Sequence, residues 1–162
     1  MVRVRRAVQG DRDFMMDVVP RLRAFGPPPL RPDDALDRAE RETLERALVS
    51  PSDEATLLVA ELDGTPAGVA YAHAATDYFT GEQHGHLSII AVAEAGEGRG
   101  VGRALLAAVE AWSAARGHRF LTLNVFAGND RARAVYERAG YGQDTIRYVK
   151  ELGRMDEAEE DA

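Results

Sequence analysis

The chain holds 162 residues, 45% of them apolar and 29% charged, an ordinary balance for one domain able to bury a sizeable core. Zero cysteines exclude a disulfide framework, a thiolate metal site and acyl transfer through an enzyme thioester. A net charge of −7 with no basic stripe interleaved with aromatics argues against nucleic-acid binding, and apolar runs such as 57–60 and 87–93 are too short to span a bilayer.

Val2–Val8 alternates apolar with basic residues, the pattern of a half-buried strand. Asp11–Phe25 reads as a helix with Phe14, Val18, Leu22 and Phe25 on one stripe, broken by Gly26 and three prolines. A second helix is expected over about Asp33–Leu48, stopped near Pro51. Strands over Ala55–Leu62 and Thr65–Ala75 meet at Asp63-Gly64, a strong hairpin signal. After a loop at Asp77–Gly85 comes a strand at His86–Val92, then a glycine-rich turn and a long helix over Gly100–Arg116, stopped by Gly117. Phe120–Phe126 reads as a strand, and a short helix begins after Asn129, its N-cap, and stops at Gly140. Thr145–Leu152 alternates Ile146, Tyr148 and Leu152 with more polar neighbours. Residues 1–152 form the expected domain, and residues 153–162, with five acidic groups against one arginine, an acidic disordered tail.

The richest stretch is Gly98-Arg99-Gly100-Val101-Gly102-Arg103, feeding a helix whose Val101, Leu105, Val109 and Trp112 share a face. Glycines let a ligand approach the backbone, and the first-turn N–H groups point outward at the positive end of the helix dipole, so the turn suits a phosphate group. No Gly-Lys-Ser/Thr follows, which disfavours a nucleoside-triphosphate loop. Arg103 stands where a dinucleotide fingerprint needs its third glycine. Taken alone, the turn is equally compatible with a glycine-rich helix entry that binds nothing.

The second informative segment is Asn-Asp-Arg-Ala-Arg-Ala-Val-Tyr-Glu-Arg-Ala-Gly-Tyr, residues 129–141. Together the two segments resemble the GNAT superfamily of N-acetyltransferases. Its acetyl-CoA loop runs Gln/Arg-x-x-Gly-x-Gly/Ala after a strand ending in Val, and its later signature runs Asn-x-x-Ala-x-x-x-Tyr-Glu-x-x-Gly-Phe/Tyr. The counterparts are residues 97–102, Val92 and residues 129–141, so the resemblance covers the C-terminal half by motif and the N-terminal half by element order. It implies an α/β fold, one domain with a central, mixed but mostly antiparallel sheet flanked by helices. It also implies direct transfer of acetyl from acetyl-CoA to a primary amine.

Under that resemblance the backbone of Ile90, Ala91 and Val92 pairs with the pantetheine arm, and the amide at Val92 polarises the thioester carbonyl. The loop residues Gly98, Arg99, Gly100, Val101, Gly102 and Arg103 receive pyrophosphate. Asn129 serves as helix cap, with a cofactor contact as the alternative. Tyr136 protonates the departing thiolate and touches the cofactor, because a phenol with pKa about 10 keeps its proton at neutral pH; an amphipathic core tyrosine is the alternative. Glu97 departs from the family's Gln or Arg, and its carboxylate must turn away from pyrophosphate or pair with Arg99 or Arg103.

A proton acceptor is less evident. An alkylamine of pKa about 10.4 is neutral in only about one molecule per thousand at pH 7, a step of roughly 4–5 kcal/mol. Residues 89–91 carry no carboxylate, so the nearest candidates are Glu82, His84 and His86, with a water chain as the alternative. His84 and His86 share a strand face, but without a third ligand in sequence no metal is expected. A polar rim of the acceptor cleft, or a solvated loop, accounts for them equally. The expected partners are acetyl-CoA and an amine, with no nucleic acid or membrane and with a homodimer compatible. The start lacks a secretory pattern and arginine outnumbers a single lysine, Lys150, so a cytoplasmic, bacterial enzyme is expected. The rivals are a non-catalytic acyl-CoA sensor on the same fold and a nucleotide-binding module.

Overall fold

Asp63 and Gly64 turn the chain with φ of 52° and 85°, the left-handed pair a tight hairpin needs, and join β2 (Ala55–Leu62) to β3 (Thr65–Thr76). The computed structural model describes residues 1–153. Among them, five strands form one sheet in the order β1 (Val2–Arg6), β2, β3, β4 (Gln83–Val92) and β5 (Leu121–Leu123). The first four run antiparallel and β5 joins β4 in parallel, giving the mixed, mostly antiparallel sheet expected.

Helix α1 (Arg12–Val18) and α2 (Asp33–Val49) cover one face, where Met15, Val18, Val19 and Leu44 pack on Val69, Ile89 and Ala91. Helix α3 (Val101–Ala115) covers the other, packing Val101, Leu105 and Val109 on Ala60, Ala70 and Leu87. These α3 residues are at most 1% exposed, and each such aliphatic side chain stabilises the fold by roughly 1.5–3 kcal/mol. Helix α4 (Asp130–Arg138) follows β5.

Four expectations are corrected. The first helix stops at Val18 and tightens into a 3-10 turn over Val19–Arg23, because Pro20 has no N–H to continue the ladder. Phe25 leaves the core stripe for the surface. Of the strand over Phe120–Phe126, only Leu121–Leu123 pairs, since β4 and β5 diverge beyond Leu87. The loop expected over Asp77–Gly85 ends earlier, because Gln83, His84 and Gly85 already pair with Thr76, Ala75 and Ala74 as the start of β4. The alternating segment Thr145–Leu152 forms no strand, and Ile146, Tyr148 and Leu152 are exposed. Apart from Gly153, the acidic tail lies outside the described residues.

Candidate active site

β4 runs five residues past its last pairing with β5: Gly85, His86 and Leu87 meet Leu121, Thr122 and Leu123, whereas residues 88–92 face no strand on that side among the described residues. Ile90, Ala91 and Val92 therefore present a free backbone edge, the feature a strand-like, amide-bearing ligand needs. Past Val92 the chain makes a 3-10 turn at Glu94–Gly96 and enters the glycine loop. Gly98 and Gly100 hold φ of 66° and 83°, which side chains resist, and Gly100 is the N-cap of α3. The first helical hydrogen bond is Ala104 N–H to Gly100 O at 3.0 Å, so the N–H groups of Val101, Gly102 and Arg103 are the open first-turn donors. Arg99 and Arg103 flank them.

Asn129 caps α4, its side-chain oxygen accepting the Ala132 N–H at 3.1 Å. That contact alone explains the residue. About two turns later, the Tyr136 ring packs against the cluster beneath α3, which also holds the side chains of Ile90 and Val92. Burial raises its pKa above the ordinary phenol value. Among the described residues its hydroxyl makes no hydrogen bond, although the ring is packed. The Tyr141 ring meets it edge-on at 6.0 Å, with its hydroxyl donating to Glu110 at 2.8 Å.

Glu97 pairs with neither Arg99 nor Arg103. Its carboxylate accepts from Arg21 and also lies 3.5 Å from Arg131. Arg21 donates in addition to the Val92 carbonyl at 3.2 Å, and both guanidinium groups sit over the Phe25 ring. Gly26, at φ 76°, lies so close to the loop before α4 that a Cβ there would stand 2.1 Å from the Gly128 carbonyl oxygen. The segment after α1 thus reaches the segment before α4 beside the open end of β4. None of these partners is readable from sequence, because each is more than 70 residues from Val92 or Glu97, or on a different element with no shared motif.

The face of the sheet toward α1 and α2 carries a polar cluster beyond their cover. A bulge sets Leu87 against Ala72 and Ile89 against Tyr71, leaving Ser88 as the extra residue. Ser88 Oγ lies 2.9 Å from His73 Nε2, and the His73 ring is 5.5 Å from that of His86. His86 Nδ1 lies 2.8 Å from Thr122 Oγ1, whose hydroxyl points at the Gly85 carbonyl. His86 Nδ1 and Thr122 Oγ1 thus share one hydrogen bond, while Nε2 has no partner among the described residues. Burial, then His73 and His84, lower the pKa of His86 below the ordinary histidine value, so the neutral ring prevails at pH 7.

The other two candidates from this segment stand elsewhere. Glu82 makes a two-pronged pair with Arg119, at 2.9 and 3.1 Å, which holds its carboxyl below the usual range. It precedes β4, about 30 Å along the strand from Val92, and lines a depression with Glu54, Gln83 and His118. His84 is 7% exposed, stacks on Phe120 at 4.7 Å and has no partner for Nδ1 among the described residues. His73 and Ser88 escaped the sequence reading because the bulge that joins them leaves no periodic trace.

The model of the acetyltransferase (GNAT) family matches residues 21–141. No curated protein matches the chain. Among solved structures, the chain is similar to an aminoglycoside N-acetyltransferase in complex with CoA, at 24% identity and TM-score 0.67, covering 95% of each chain. It is similar to the ribosomal-protein-alanine N-acetyltransferase of Brucella melitensis biovar Abortus 2308, at 22% and 0.67, covering 94% of this chain and 100% of that one. It is also similar to the glucosamine-6-phosphate N-acetyltransferase of Arabidopsis thaliana, at 16% and 0.65, covering 94% and 99%. At these identities the likeness establishes the fold, and the family match over three quarters of the sequence establishes the kinship: the chain belongs to the GNAT acetyltransferase family.

Proposed function

We infer that this protein transfers an acetyl group from acetyl-CoA to a primary amine without an enzyme-bound acyl intermediate. The observation that carries the reading is the free edge of Ile90–Val92 running directly into a left-handed glycine loop and the open N-terminus of α3. That continuity fits an extended arm bearing amides at one end and pyrophosphate at the other. The solved relatives are each named for acetylation at nitrogen, which supports an amine acceptor.

In this reading Gly98, Gly100 and the first-turn amides of α3 hold pyrophosphate, with Arg99 and Arg103 adding charge. The backbone of Ile90–Val92 aligns the arm, and an amide there polarises the thioester carbonyl. Tyr136 donates the proton the departing sulfur needs; its raised pKa keeps that proton in place at neutral pH. His86 adds a neutral imidazole to the polar cluster beside the free edge, closer than Glu82 to where the ammonium proton must leave. Glu82, paired with Arg119 at the far end of β4, is left out.

The test combines ligand stabilisation with turnover. A ligand bound only to the folded protein at 100 times its Kd adds about 2.7 kcal/mol, so acetyl-CoA should raise Tm while ATP and NAD leave it unchanged. Free CoA should then accumulate with at least one member of a panel of primary amines. Stabilisation by ATP or NAD in preference to acetyl-CoA overturns the reading. One observation favours a non-catalytic acyl-CoA sensor, since β4 carries no carboxylate. Stabilisation without CoA release across the panel would establish it.

A further inference from the structure

The bulge at Ser88 sets an exposed hydroxyl against an imidazole whose other nitrogen is already committed. His73 Nδ1 lies 2.9 Å from the Ala74 carbonyl oxygen, which can only accept, so Nδ1 carries the ring proton and Nε2 holds the lone pair. The Ser88 hydroxyl, 2.9 Å away, must then donate to Nε2, and its own lone pairs face outward. Resting on the transfer reading above, we propose that Ser88 and His73 form a two-step proton relay: Ser88 contacts the incoming ammonium and passes its proton to His73.

An N–H bond of the ammonium breaks and its proton joins Ser88 Oγ while the original hydroxyl proton moves to His73 Nε2. The amine keeps the electron pair it needs to attack the thioester, Ser88 ends as a hydroxyl, and His73 ends as an imidazolium. The Ala74 carbonyl stabilises that cation through the existing Nδ1–H bond, and the partly buried ring passes the proton on to water. Ser88 is the first residue of the unpaired stretch of β4, about 7 Å along the strand from Ile90, whereas His86 still pairs with β5. The residue therefore lies between Ile90 and the imidazole pair along the strand. Around His73 stand Tyr71 on β3 at 5.8 Å, His86 on β4 at 5.5 Å, and, before β2, Glu54, whose carbonyl accepts the Ala74 N–H. In the relay Ser88 is the catalytic residue and His73 acts through it.

Two acceptors separate a proton relay from a packing role: ethylamine, which arrives as an ammonium, and 2,2,2-trifluoroethylamine, whose fluorines leave it mostly neutral at pH 7. Ser88→Ala and His73→Gln, the latter able to accept the hydrogen bond but not the proton, should each lower kcat/KM for ethylamine by about 10²-fold and leave trifluoroethylamine within about threefold of the parent. Tyr136→Phe should slow both amines alike. Equal losses with both amines in the Ser88 and His73 variants overturn the relay and leave the transfer reading standing. A parent that releases no CoA with any amine overturns the transfer reading itself. Independently, nitrogen NMR of the labelled parent should show the His73 proton on Nδ1 at neutral pH; a proton on Nε2 of the neutral ring overturns the relay without touching acetyl transfer.

Discussion

Replacing Tyr136 with phenylalanine removes one oxygen from a ring that otherwise stays packed beneath α3. That oxygen makes no hydrogen bond among the described residues, so its loss orphans no described partner. The stability change should stay within about 0.5 kcal/mol, which for a chain of this size is a Tm shift of at most about 2 °C. The kinetic effect is of another order. General acid catalysis is worth about 10²–10⁴-fold, or roughly 3–5 kcal/mol of barrier, and should appear in kcat with acetyl-CoA affinity unchanged. Tyr141→Phe supplies the control at an edge-on ring 6.0 Å away, because its hydroxyl does have a partner in Glu110. That variant should lose about 0.5–1.5 kcal/mol of stability and keep its turnover. CoA release under conditions where chemistry limits the rate, with thermal melts of both variants, gives the answer. A Tyr136→Phe protein retaining more than about a third of the parent kcat would refute the acid role. Burial raises the Tyr136 pKa, so the acid form persists upward in pH. The alkaline fall of kcat due to this group should therefore lie above about pH 10.

At Gly100 an added Cβ meets no heavy atom within 4 Å, so Gly100→Ala pays only for φ of 83°, about 1–2 kcal/mol. The variant should stay folded by circular dichroism while acetyl-CoA no longer raises its Tm. Glu97→Gln releases Arg21 and Arg131 from a carboxylate and should improve acetyl-CoA affinity by a few fold in calorimetry; a tenfold loss would show that Glu97 positions those arginines. Asp11, 4% exposed, accepts two bonds from Arg5 and one from the Val8 N–H, tying β1 to the start of α1. Asp11→Asn should cost about 2–3 kcal/mol in urea unfolding at pH 7. The Arg5 hydrogen bonds hold the folded carboxyl below its ordinary range. Its contribution is therefore complete above about pH 4 and lost as pH falls through the lowered value, and the Asn variant should show a smaller acid-induced loss than the parent.

Elements governed by local chemistry were readable in advance. The Asp63-Gly64 turn and the Gly98–Gly102 loop rest on left-handed backbone preferences and the Asn129 cap on one side-chain oxygen, and each appears where its residues demanded. Contacts across the sheet were not. Ser88 meets His73 only because a bulge inserts one residue into β4, and alternation read along either strand carries no sign of it. Arg21 reaches Glu97 across 76 residues, closing a charge balance that local inspection assigned to neighbouring arginines. Thr145–Leu152 shows the opposite failure: its alternation satisfies the strand pattern, but a strand also needs an edge, and no described strand pairs with it.

The unpaired length of β4 has a consequence for the protein in a crowded solution. Backbone that invites a strand-like ligand will equally accept the strand of another chain, and most sheets defend such an edge with charge, proline or a covering segment. Here residues 88–92 carry no charge and no proline, and the guard observed is the single Arg21 bond at the Val92 carbonyl. Occupancy by a ligand would close the same backbone that self-association needs. Cofactor supply would then govern how long the folded chain stays dispersed, independently of how fast it turns over.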